Sequence, residues 1–296
     1  MIVKKSPDEI DQMAVAGDIL VRCMDLLAGK VRPGITTAEL DKAAERFIRS
    51  QGATPAFKGY RGFPGSLCAS PNHMVVHGIP GSFKLRRGDI LSVDVGVVKD
   101  GWVADAARTF AVGEVSPVAA KLLQVTEESL LEAVEQCRPG NRLGDIGHAV
   151  QAHVEENGFS VVRSLVGHGI GRSMHEDPQI PNYGPPGKRE LLEEGMVLAV
   201  EPMTTAGRHM VRMGDDGWAI YSQDGSLAAH FEFTIAITAE GPRILTPWHL
   251  SKARVAAASV TSPKASRSRL AWQAKPPVLG RNTNGNQAAR RVAWSS

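Results

Sequence analysis

The chain predicts an α+β fold made of two similar halves that share one site. Three observations predict it. Each half runs in the same order, paired helical segments first and then strand-like segments ending in a hairpin signal. Helices do not alternate one for one with strands, which excludes a doubly wound parallel sheet. Between Ile90 and Phe110 two alternating runs flank Asp100-Gly101, the mark of an antiparallel hairpin. No residue-level repeat accompanies this apparent duplication.

The elements follow in order. Ser6-Pro7-Asp8-Glu9 supplies an N-cap, a first-turn proline and a capping-box glutamate. Ile10, Met13, Gly17, Leu20, Met24 and Leu27 then form an apolar stripe at helical spacing. Thr36 and Glu39 repeat the capping signal before Leu40, Ala43, Phe47 and Ile48, and Gly52 ends that helix. Short strands are expected at 66–70 and 75–77, before the hairpin. A helix opening at Ser116-Pro117 buries Leu122, Val125, Leu130, Ala133 and Cys137 and stops at Arg138-Pro139-Gly140. A further helix over 143–157 closes at Gly158. Strands are expected at 160–166 and 197–201, then a hairpin of 218–222 with 227–238 around Asp224-Gly225.

Composition bounds the rest. No apolar run approaches the ~20 residues that span a bilayer, and MIVKKSPDEI lacks the apolar core of a secretory signal. Cys23, Cys68 and Cys137 are odd in number and widely spaced, which fits a reducing, cytoplasmic compartment. The formal net charge of +3 hides an asymmetry. Residues 251–296 hold nine Lys/Arg and no Asp/Glu, leaving 25 basic against 31 acidic side chains in residues 1–250. The chain thus divides into a folded domain over 1–250 and a basic tail over 251–296, expected to be disordered. That tail is a solvated appendage or a weak electrostatic contact for RNA or another anionic surface.

The chemistry gathers on apolar strands. A tight turn at 99–101 puts Asp105 directly or diagonally opposite Asp94 with both side chains on one face. Two carboxylates that close repel unless a proton or a cation lies between them. GHGIGRSMHE places His168 among glycines that let a ligand approach the backbone, with His175 seven residues on. Glu201 ends the apolar MVLAVEP, and Glu232 lies inside HFEFTIAIT, with no Lys or Arg in either run to pair with. Asp94, Asp105, Glu201, Glu232 and His168 together offer four carboxylates and one imidazole, whose formal −4 would balance two divalent cations. Such metal pairs activate water for hydrolysis, and this oxygen-rich set suits Mn, Fe or Co, and Zn after them. Rival motifs fail: His175-Glu176 lacks the second His of HExxH, and GHGIG lacks the GxGxxG spacing of a dinucleotide loop.

These blocks resemble a known family. NHMVVHGIP, VDVGVVKDGWVADAARTF, GHGIGRSMHE, AVEPM and FEFTIAIT look, in order, like the active-site blocks of type I methionine aminopeptidases, over roughly residues 5–249. The resemblance implies the pita-bread fold, two pseudo-symmetric halves of paired helices and antiparallel sheet around a central dinuclear metal site. Relatives with an extra N-terminal domain are not expected in a chain that starts at the first catalytic-domain helix. The helical insert of the type II form has no room in the 33 residues from His168 to Glu201 or the 31 from Glu201 to Glu232.

By this resemblance Asp94 binds one metal, Asp105 and Glu232 bridge both, and His168 with Glu201 completes the second site. The ions are expected to be two per chain, drawn from Co, Mn, Fe, Zn and Ni. Glu201 would also act as general base, His77 would assist the leaving nitrogen, and His175 would hydrogen-bond the carbonyl oxygen. Tyr60, Phe63, Cys68 and Trp218, with Met174 beside them, would hold the methionine side chain. Three residues depart from the family's habit: Met174 where Phe is usual, Phe233 where His is usual, and His73 where an acidic or small residue is usual. The implied substrates are peptides and nascent chains that begin with Met before a small residue, so this chain should keep Met1 before Ile2. A monomer with no membrane contact is expected, and ribosome association is left open. The intact ligand set separates this enzyme reading from a scaffold that only binds peptide, RNA or the ribosome.

Overall fold

The computed structural model describes residues 1–250; the expected tail over 251–296 lies outside the described residues. The first half opens with helices α1 (Pro7–Ala28) and α2 (Thr37–Ser50), both started by the capping boxes read from the sequence. Strands β1 (Thr54–Pro55), β2 (Cys68–Pro71) and β3 (Met74–Val76) precede the long hairpin of β4 (Ile90–Lys99) and β5 (Trp102–Ala111). Strand β4 is central, with β1, β2 and β5 hydrogen-bonded to it, all antiparallel. The second half repeats the pattern with α3 (Pro117–Gln136) and α4 (Leu143–Glu156). Its strands are β6 (Ser160–Val161), β7 (Gly167–Gly169), β8 (Glu176–Ile180), β9 (Val197–Val200) and β10 (Met203–Thr205). The last five are β11 (Val211–Met213), β12 (Ile220–Ser222), β13 (Ala228–His230), β14 (Phe233–Thr238) and β15 (Gly241–Ile244).

A five-stranded antiparallel sheet, β15-β14-β9-β7-β8, mirrors the β4 sheet, and two three-stranded sheets, β13-β10-β6 and β11-β12-β3, complete the structure. One apolar core joins the halves, from Leu20 of α1 and Val93 of β4 to Leu130 of α3, Leu198 of β9 and Phe233 of β14. Helix α1 lies close on its neighbours at Gly17, where a Cβ would come within 2.0 Å of the Leu245 carbonyl oxygen.

Several expected boundaries change. The strand placed at 66–70 begins at Cys68, because the backbone amides of Ser66 and Leu67 are taken by Asp41 of α2. The strand placed at 75–77 ends at Val76, since His77 adopts a left-handed φ of 61°. The segment 160–166 is not one strand: β6 pairs with β10, and β7 begins only at Gly167 to pair with β9. The hairpin expected around Asp224-Gly225 does not form. Strand β12 pairs with β11 and β3, whereas β13 pairs with β10. The run 227–238 is also broken, at Phe231 and Glu232, where the chain passes from one sheet to another. The closing hairpin of this half is instead β14–β15, with Thr238 opposite Gly241.

Candidate metal centre and active site

The β4–β5 register sets the first two carboxylates. Lys99 pairs with Trp102 across a two-residue turn, so Asp94 faces Ala107 and Asp105 faces Gly96. Asp94 and Asp105 are therefore diagonal neighbours on one face, both buried. Thr234 of β14 clamps Asp105 from the other half: its hydroxyl accepts the Asp105 N–H at 3.0 Å and donates to the Asp105 carbonyl at 2.7 Å. Glu232 lies in the break before β14, and its backbone finds partners elsewhere. Its N–H donates to the Ala107 carbonyl at 2.9 Å, and its carbonyl accepts Trp248 Nε1–H at 2.9 Å. The break turns the Glu232 side chain towards the aspartates.

Glu201 follows β9, with its carbonyl held by Asn182 Nδ2 at 3.0 Å. His168 lies on β7, and its Nδ1 meets the Gly169 carbonyl at 2.9 Å. With Nδ1–H donating there, Nε2 keeps its lone pair for the cluster. The possible ligand atoms of Asp105, His168 and Glu232 lie within 4.8 Å of one another. All five expected ligands line one cavity of about 180 Å³.

Among the described residues, no Lys or Arg forms an ion pair with these carboxylates. The ionic neighbours of Glu201 are imidazoles, His168 Nε2 at 3.6 Å and His230 Nε2 at 3.5 Å. Buried oxygens of Asp94, Asp105 and Glu232 have no hydrogen-bond partner. Burial, and then the charges of Asp105 and Glu201, push the Asp94 carboxyl well above the usual range. Burial lifts Asp105 to about 7. Burial and then the charge of Asp105 raise both Glu201 and Glu232. Left bare, the cluster holds protons more tightly than free carboxylates do; divalent cations among the oxygens would reverse that preference. Unpartnered oxygens, one free imidazole nitrogen and a formal −4 fit such cations.

The cavity wall answers the remaining expectations. Tyr60, Phe63, Cys68 and Trp218 line it, with Phe63 and Trp218 edge to face at 5.1 Å. Cys68 stands opposite Asp94 in the β2–β4 register. Burial and then the Asp94 charge hold its thiol neutral, a soft apolar surface and not a nucleophile. His175 is brought back by its loop to lie against His168, the rings tilted at 44° with centroids 4.2 Å apart, and it stacks on Tyr60, whose hydroxyl is 2.9 Å from His175 Nδ1. Burial, then the charges of His168 and Arg61, push His175 down to about 4, so the ring is neutral at pH 7. His77 stands at the exposed rim, crowded enough that burial lowers its pKa. Its left-handed backbone is pinned through Gly78, whose N–H donates to Ser70 Oγ and whose carbonyl accepts the Ala69 N–H.

One expected pocket residue stands elsewhere. Met174 lies behind the wall, buried among Phe57, Phe63 and Trp102, with its Cε over Gly96, and it is not among the lining residues. The other two departures also sit away from the cavity. Phe233 packs on Trp248 with centroids 4.9 Å apart, and His73 lies against Tyr221 at 5.3 Å. Sequence reasoning passed over three residues: Phe57 and Arg61, which line the cavity, and His230, which faces Glu201. His230 closes β13 and Glu232 lies in the break before β14, so strand alternation does not relate them, and no local signal marked His230.

Fold and site together define a metallopeptidase architecture. Residues 11–239 match the model of metallopeptidase family M24, and the chain belongs to that family. It is 55% identical over 246 residues to a methionine aminopeptidase of Clostridium perfringens, covering 83% of this chain and 99% of the relative. It is 52% identical over 246 residues to methionine aminopeptidase 1 of Bacillus subtilis, with the same coverage of 83% and 99%. The crystal structure of methionine aminopeptidase from Rickettsia prowazekii superposes with a TM-score of 0.82 at 42% identity, covering 83% of this chain and 100% of the other. The pita-bread fold implied by the sequence blocks is the fold observed.

Proposed function

We propose that this chain is a metal-dependent aminopeptidase that removes an N-terminal methionine from nascent proteins and peptides when the second residue is small. One observation carries the reading. Four buried carboxylates and an imidazole, with oxygens left unpartnered, form the floor of a cavity walled by Phe63, Trp218 and the neutral Cys68 thiol. Asp94, Asp105, His168, Glu201 and Glu232 would hold two divalent cations, from among Co, Mn, Fe, Zn and Ni. When bound, these supply the positive charge that makes a water nucleophilic at neutral pH and polarises the scissile carbonyl.

The chain's own groups do the rest. Phe63, Trp218 and Cys68 surround the thioether, a side chain that favours aromatic edges and soft sulfur. Glu201, with no hydrogen bond on its side-chain oxygens, accepts the proton of the attacking water. The Tyr60 hydroxyl donates to His175 Nδ1, which leaves Nε2–H to donate to the carbonyl oxygen as negative charge grows there. His77 at the rim assists the leaving nitrogen, which takes up a proton as the C–N bond breaks. The rim formed with Tyr60 and Arg61 disfavours a bulky second side chain. Three free, buried cysteines support a reducing cytoplasmic setting, and no helix among the described residues is long and apolar enough to cross a membrane. We read the chain as a monomer acting on nascent chains, with ribosome contact still to be tested.

The test compares Met-Gly-Met-Met with Met-Leu-Met-Met, after chelation and again after addition of Mn or Co. Metal-dependent release of Met from the first peptide alone is the expected result. No release with any metal would overturn the proposal.

A further inference from the structure

His230 lies behind the cavity wall, beside Glu201, and has no part in the proposed reaction. The residue is 2% exposed, and both of its ring nitrogens lack a hydrogen-bond partner. Its backbone is fixed to β5: the His230 N–H donates to Thr109 Oγ1 at 2.9 Å, and that hydroxyl meets the His230 carbonyl at 2.9 Å. Its Nε2 stands 3.5 Å from Glu201 Oε2, while His168 Nε2 stands 3.6 Å from Oε1 of the same carboxylate. Glu201 is therefore bracketed by two imidazoles, one on each oxygen. A separation of 3.5 Å is longer than a hydrogen bond, which needs 2.7–3.2 Å. The terminal torsion of a glutamate is soft, so a small turn of the carboxylate closes the gap.

Resting on the metallopeptidase reading above, we propose that His230 is a positioning residue for Glu201, its neutral Nε2–H donating to Oε2 and so presenting Oε1 on the side of His168. The placement argues against His230 as a direct ligand. It faces Oε2 of Glu201, the oxygen remote from His168, and so approaches the carboxylate from the side away from that imidazole. A donor behind a ligating carboxylate sets its orientation and its metal affinity.

The test uses the full chain and Zn, a diamagnetic probe. Affinity is measured by competition with a chromophoric chelator for the wild type, His230→Leu and His230→Gln. His230→Leu should weaken Zn binding on the order of 10–100-fold. His230→Gln, whose amide can donate in place of the ring, should bind close to wild type. Histidine ¹⁵N NMR of the wild type gives an independent readout that needs no variant to fold. The His230 Nε2 signal should keep its proton when Zn is added, whereas the His168 Nε2 signal should move as a metal-bound nitrogen does. Unchanged affinity in His230→Leu, a folded His230→Gln that fails to rescue, or a metal-bound His230 Nε2 would each overturn the proposal. Absence of any Zn binding by the wild type would overturn the metallopeptidase reading with it.

Discussion

A carboxylate buried beside three others resists ionisation, yet a general base must be ionised to accept a proton. As the proposed general base, Glu201 would meet both conditions only when cations offset the cluster's charge, which would tie its chemistry to metal loading. Glu201→Gln keeps the shape and removes the charge. It should lower kcat by about 10²–10⁴ and, in the metal-free protein, raise the thermal midpoint by relieving like-charge repulsion. Steady-state peptide hydrolysis and calorimetry read the two effects separately. A variant that keeps wild-type kcat would remove Glu201 from the proton transfer. The five proposed ligand positions stood out in the sequence because most are chemical anomalies, charges set in apolar strands without a basic neighbour. His230 offered no such anomaly, since an imidazole at a strand end reads as ordinary. The placement of Met174 was not legible either, since adjacency to His175 in sequence does not fix which side of the cavity wall a side chain takes.

Strand pairing converts these residues into a site. The β4–β5 hairpin was legible down to the diagonal placement of Asp94 and Asp105, because a two-residue turn and strict alternation leave one register. The segment 218–238 was not. Asp224-Gly225 has the composition of a hairpin turn, but its flanking strands pair with partners far away in sequence and in different sheets. The switch at Phe231 and Glu232 arises from such long-range pairing, which local pattern cannot reveal. Strand β7 shows how tightly these elements hold a ligand. At Gly169 a Cβ would come within 2.1 Å of the Asp177 carbonyl oxygen, and Gly169 pairs with β8 beside His168. Gly169→Ala should push β7 and β8 apart, cost about 1–3 kcal/mol, and weaken metal binding through His168. Thermal unfolding with and without Mn measures both. If the variant melts and binds metal as the wild type does, β7 is not the rigid carrier described here.

At the scale of the molecule, the five groups come from both halves: Asp94 and Asp105 from the first, His168, Glu201 and Glu232 from the second. Folding without metal therefore gathers four carboxylates in one buried place. Each has a folded pKa above its unfolded value, Asp105 near 7 and the others raised. Above about pH 4 the folded chain keeps protons that the unfolded chain has released, so these groups make stability fall as pH rises. The histidines act in the opposite sense. His175, near 4, His230, near 3, and His77 and His168, lowered by burial, add stability as pH rises through the unfolded imidazole value of about 6.5, an effect that fades about one pH unit above it. Cys23 and Cys137, near 12, contribute only as the unfolded thiols ionise, above about pH 8.5. Between about pH 7.2 and 8 the histidine contribution is small and the carboxylates dominate the slope. The metal-free protein should lose stability across that window, by up to about 1.4 kcal/mol per pH unit for each proton retained on folding. Excess Mn should flatten or reverse the trend, because binding expels those protons and tightens as pH rises. Calorimetric midpoints at pH 7.2, 7.6 and 8, with chelator and then with Mn, decide the matter. A metal-free midpoint that stays level would mean that the protein itself compensates four negative charges, and the case for cations at this site would lose its electrostatic ground.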